Sequence, residues 1–133
     1  MELTGKVEEL MDEWYDLGFR AGTSDHDLRS DFKNLVEEIV RYDLPVGPIK
    51  VSYALSVIEA ALEYLEEASR YYRSHYDKFM EKDADSVYPD DENAAFNLYL
   101  ELKGMFLNGF LDGMAKSGMD LEEYVDELVR KIY

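Results

Sequence analysis

The chain has 133 residues, of which 47% are apolar and 14% aromatic. That suits one globular domain, residues 1–133, with a real hydrophobic core, and is too apolar for a disordered protein. Thirty acidic against fourteen basic residues give a net charge of −16, which argues against direct binding to nucleic-acid phosphates or anionic membranes. The absence of cysteine excludes a disulfide framework and thiolate chemistry.

The opening stretch MELTGKVEEL carries no apolar signal core, and no run approaches the roughly 18 apolar residues of a membrane span. The expected location is the cytoplasm. A first helix is predicted from Leu3 to Phe19, with Leu3, Val7, Leu10, Met11, Trp14 and Leu17 at helical spacing. Gly18 and Gly22 are expected to bracket a loop. Ser24, with Asp27 three residues later, resembles a weak capping box for the second helix. That helix is predicted from Asp25 to Tyr42, burying Leu28, Phe32, Leu35, Val36, Ile39 and Tyr42. Pro45, Gly47 and Pro48 then form a stiff turn.

The third helix is predicted to be long, from Ile49 to Glu81. At 1.5 Å per residue it would extend about 48 Å, against a diameter of about 36 Å for a compact domain of this size. An overhang of that kind would pack on a partner. Lys82 to Asp91 reads as a polar, flexible connection. Pro89 and the acidic residues Asp90, Asp91 and Glu92 suit the start of a fourth helix, where free N–H groups favour negative charge. This fourth helix, centred on Ala94 to Ala115, places Phe96, Tyr99, Leu100, Leu102, Phe106, Leu107, Phe110, Leu111 and Met114 around well over half its circumference. It is expected to be mostly buried at the centre of the fold. Ser117-Gly118 supplies its stop. Asp120, with Glu123 three residues on, caps a last helix that buries Leu121, Tyr124, Val125, Leu128, Val129 and Ile132. No strand pattern occurs. The expectation is an all-α bundle of about five helices, with a long third helix and a mostly buried fourth.

Gly109 and Gly113 stand four apart inside the fourth helix and share one flank. Each costs about 1 kcal/mol relative to Ala, so the flank marks close approach of a neighbouring helix. A self-association face is the alternative. Eleven tyrosines occur in the chain. Tyr53, Tyr64 and Tyr71, with His75, fall beside the core stripe of the third helix. They form either the rim of a wide buried face or a second contact surface, because tyrosine joins apolar area to a polar tip.

Two short patterns resemble catalytic ones. Glu63-Tyr-Leu-Glu66 and Glu123-Tyr-Val-Asp126 resemble the two acidic halves of the all-helical nucleotide pyrophosphatases, whose paired carboxylates hold Mg²⁺ or Mn²⁺. Their separation is far longer than in that family, and their helical faces belong to solvent. Arg70-Tyr-Tyr-Arg-Ser-His75 has the arginine-to-histidine spacing of the HEPN helical RNases. Here Tyr71 follows the arginine, where that family has a polar residue, and positions five apart on a helix point about 140° apart. Neither histidine has a glutamate three residues before it, which removes the di-iron pattern.

The functional expectation is a non-catalytic interaction or assembly protein without metal or cofactor. It would self-associate as a homodimer through Tyr53, Tyr64, Tyr71, His75, Gly109 and Gly113. Its acidic face could engage a basic protein, or imitate nucleic acid towards one. The alternatives are a metal-dependent nucleotide or phosphoester hydrolase and a HEPN-like RNase.

Overall fold

A computed structural model describes residues 3–42, 53–68 and 77–132. Among these the regular structure is all helical, without a strand: α1 (Leu3–Ser24), α2 (His26–Tyr42), α3 (Tyr53–Ala68), α4 (Asp77–Val87), α5 (Glu92–Lys116) and α6 (Leu121–Ile132). Against the expected bundle of five, six helices occur among the described residues. The longest is α5, at 25 residues, rather than a third helix over 49–81. That predicted span holds α3 and the first part of α4, while 69–76 lies outside the described residues. The described α3 has 16 residues, so among the described residues the overhang argument for a partner has no support.

The predicted flexible connection is also corrected, because residues 82–87 complete α4. Met80, Ala84 and Val87 recur at helical spacing on that helix and are buried. Three apolar residues suffice to seat a short polar helix on a neighbour.

The main contact of the fold joins α1 to α5. The two run side by side in the same direction: Gly18 meets Phe106, Gly22 meets Phe110, and Phe19 meets Gly113. The first helix runs through Gly18 and Gly22 to Ser24, so these glycines do not bracket a loop. After the turn at residues 88–91, α4 lies antiparallel to the first half of α5. On the other side α2, α3 and α6 pack together and cover the second half of α5, where the Phe32 and Phe110 rings meet edge to face at 5.5 Å. The two rings are fully buried together with Leu28, Leu65, Leu102, Met114 and Val125.

Local chemistry sets the helix ends. Asp25 caps α2 by accepting from the Leu28 N–H at 3.0 Å. The Ser24 hydroxyl instead donates back to the Arg20 carbonyl, so the expected Ser24 box is replaced by Asp25. Asp91 accepts from Ala94 N–H at 3.1 Å to start α5, and Asp120 accepts from Glu123 N–H at 3.2 Å to start α6. Each satisfies an N–H that the helix itself cannot. Gly118 ends the α5 turn with φ of 99°, a left-handed conformation open to glycine at little cost.

Candidate functional site

The described positions among those singled out in the sequence are divided between the α1–α5 seam and the exposed faces of α3 and α6. Gly109 and Gly113 are buried within the chain's own α1–α5 seam. A Cβ added at Gly109 would lie 2.1 Å from the Tyr15 carbonyl oxygen, and one at Gly113 would lie 2.3 Å from that of Phe19. Gly18 and Gly22 make the reciprocal approach from α1, at 2.0 Å from Phe106 O and 2.2 Å from Phe110 O. Two glycine pairs at the same spacing thus let two helix backbones touch. The flank is filled from inside the molecule by the backbone of α1. The signal was present in Gly18 and Gly22, whose four-residue spacing matches that of Gly109 and Gly113.

Tyr64 is exposed on α3, at 49% of its full accessible surface. Tyr53 opens the same helix, and its side chain lies outside what is described. Tyr71, His75 and Arg70 lie outside the described residues. Glu63, Glu123 and Asp126 are all exposed, and no group of three potential metal ligands occurs among the described residues. No helix among them is long and apolar enough to cross a membrane.

The expected burial of the fourth predicted helix, now α5, holds for one face only. Ala95, Leu98, Leu102 and Phe106 are buried, yet Phe96 is 59% and Leu100 44% exposed. Among the described residues α1 and α4 make the main contacts with this half of α5, and the side that carries Phe96 and Leu100 is exposed. Phe96 stacks against Tyr99 at 6.2 Å, and the Lys103 ammonium lies 5.3 Å above the Tyr99 ring. Tyr42, expected in the buried stripe of α2, is instead exposed at the end of that helix.

Beside this aromatic pair is a groove of about 210 Å³, lined by Glu81, Ala84, Asp85, Glu92, Ala95, Phe96 and Tyr99. The two alanines are its buried floor, and the three carboxylates are exposed on its rim. On the opposite side of α4, Trp14 anchors the α1–α4–α5 junction. Its indole N–H donates to Asp83 at 3.2 Å, and its ring meets Phe79 at 5.1 Å and Phe106 at 6.5 Å. Burial raises the Asp83 carboxyl above the ordinary aspartate value, and neighbouring Glu13 pushes the same way. The Trp14 hydrogen bond, Lys82 and Lys6 oppose them.

The seam carries a further polar tie that the sequence did not reveal. The Tyr15 hydroxyl donates to Asp112. This bond raises the phenol above its usual range, with smaller contributions from burial and the carboxylate charge. At the other end of the seam Arg29 donates to Thr23 O at 3.3 Å and to Ser117 Oγ at 3.1 Å. It ties the first turn of α2 to the ends of α1 and α5. These contacts hold helices in place and assemble no nucleophile, base or metal cradle.

No protein-family model matches the chain, and neither a curated protein nor a solved structure matches it.

Proposed function

We propose that this is a non-catalytic helical interaction protein of the cytoplasm. It pairs with a second copy through the tyrosine flank of α3 and engages a basic protein through its acidic surface. One observation carries the reading. Tyr64, Phe96 and Leu100 stay uncovered although the chain already buries a core of phenylalanine, leucine and methionine side chains. Large apolar side chains left together on a surface, as Phe96, Tyr99 and Leu100 are, are the usual mark of a contact surface. Tyrosine adds apolar area without an unsatisfied polar end. The net charge of −16 steers such a surface towards a basic partner and away from acidic ones.

Hydrogen exchange of α3 at rising protein concentration tests the pairing. Amides around Tyr64 gain protection as copies associate, and Tyr64→Asp abolishes that gain. Exchange that is independent of concentration over the whole of α3 would refute pairing through this flank.

A further inference from the structure

We propose that the groove between α4 and α5 receives the side chain of a lysine or arginine from a basic segment of a partner protein. The proposal rests on the basic-partner reading above and adds the address and the chemistry.

The groove has three parts, each suited to one part of such a side chain. Ala84 and Ala95 give a short apolar floor, along which an alkyl stem can lie while its charged head stays at the rim. Phe96 supplies an exposed ring face. Glu81 and Asp85, one helical turn apart on α4, and Glu92, in the first turn of α5, place three carboxylates from two helices around the opening. Among the described residues none of these three is in an ion pair. The volume of about 210 Å³ is below the roughly 300–1,000 Å³ of pockets that enclose a small-molecule ligand. It suits one side chain of a longer segment.

The molecule already shows this chemistry next door. Lys103 places its ammonium 5.3 Å over the Tyr99 ring, within the range at which a ring face attracts a cation. Lys103 occupies Tyr99, so the incoming cation takes Phe96. General acidity alone would not select this place, because α6 carries four exposed carboxylates, Glu122, Glu123, Asp126 and Glu127, without an exposed ring.

The test is fluorescence anisotropy with a fluorescein-labelled peptide of alternating lysine and alanine. It is run at physiological ionic strength, where the screening length is about 8 Å and distant charges contribute little. Phe96→Ala leaves the charge unchanged and, since Phe96 is exposed, opens no core. It should weaken binding about fivefold, the effect of losing one ring face, while Phe96→Tyr should bind as the wild type does. The triple variant Glu81→Gln, Asp85→Asn, Glu92→Gln should weaken binding more than Glu122→Gln, Glu123→Gln, Asp126→Asn, which removes the same charge from α6. Circular dichroism checks that each variant is folded. If Phe96→Ala binds like the wild type, or the two triple variants weaken binding equally, the groove proposal is overturned while the basic-partner reading stands. If the wild type captures no peptide, both fall.

Discussion

The α1–α5 seam makes a prediction in which one substitution has opposite signs at two positions of the same helix. At Gly109 a Cβ would sit 2.1 Å from Tyr15 O and 2.9 Å from Phe19 N, and both are backbone atoms. Ordinary contact begins at 3.4 Å, so α1 must retreat by roughly 1.3 Å at that point. A rigid helix cannot do this locally, and the approaches at Gly18, Gly22 and Gly113 open with it. Overpacking of this kind costs about 1–3 kcal/mol, with the upper end expected where backbone must move. Alanine's better helix propensity returns about 1 kcal/mol.

Gly109→Ala should therefore lose about 2 kcal/mol net, a fall in Tm of about 6–8 °C for a domain of this size. At Gly104 nothing lies within 4 Å of the added Cβ, so propensity acts alone. Gly104→Ala should gain about 1 kcal/mol and raise Tm by about 3–4 °C. Thermal unfolding followed by circular dichroism reads both. A Gly109→Ala variant at or above the wild-type Tm would refute the backbone-contact argument. A Gly104→Ala variant that loses stability would show that this face is covered.

Other expectations follow from the polar contacts and the caps. The raised Asp83 carboxyl means that the folded state holds this proton more tightly than the unfolded chain, so stability falls as pH rises above the ordinary aspartate value. Asp83→Asn removes that slope and keeps an acceptor for Trp14. Its Tm should exceed the wild type's near neutral pH, with the gain shrinking at mildly acidic pH; parallel profiles would contradict this. Asp91→Ala removes the α5 cap and should lower stability by about 1 kcal/mol in urea unfolding, while an unchanged midpoint would show the cap to be idle. Millimolar Mg²⁺ or Mn²⁺ should leave the Tm unchanged, since a tight site would raise it by mass action.

Features decided by near neighbours in sequence were legible before the structure. Asp120 and Gly118 announce helix ends because a cap acts over three or four residues, and the acidic run Asp90–Glu92 marks where α5 starts without singling out Asp91 as its cap. The stripes Leu28–Phe32–Val36 and Leu121–Val125 announce their buried faces by period alone. What escaped was decided between distant segments. Helical glycines cost stability wherever they stand, so Gly18 and Gly22 resembled a loop until α5 presented Gly109 and Gly113 opposite them. The apolar stripe of α5 predicted neighbours on several sides, but periodicity cannot count neighbours, and Phe96 and Leu100 stay exposed on the half of the helix that packs against α1 and α4. The run Lys82–Val87 read as a linker because its polar residues outnumber the two that seat it there, Ala84 and Val87. Of the six positions expected at an interface, Tyr64 alone has a described and exposed side chain, and the groove beside Phe96 depends on α4 folding back.

The most direct test of the assembly reading is the solution mass of the wild-type chain, by light scattering after size exclusion at low and at high salt. The reading predicts twice the 15.5 kDa of one chain at both, because an apolar tyrosine contact is insensitive to screening. A mass of 15.5 kDa at both would contradict self-association and leave the exposed side chains of α3 and α5 to a different protein.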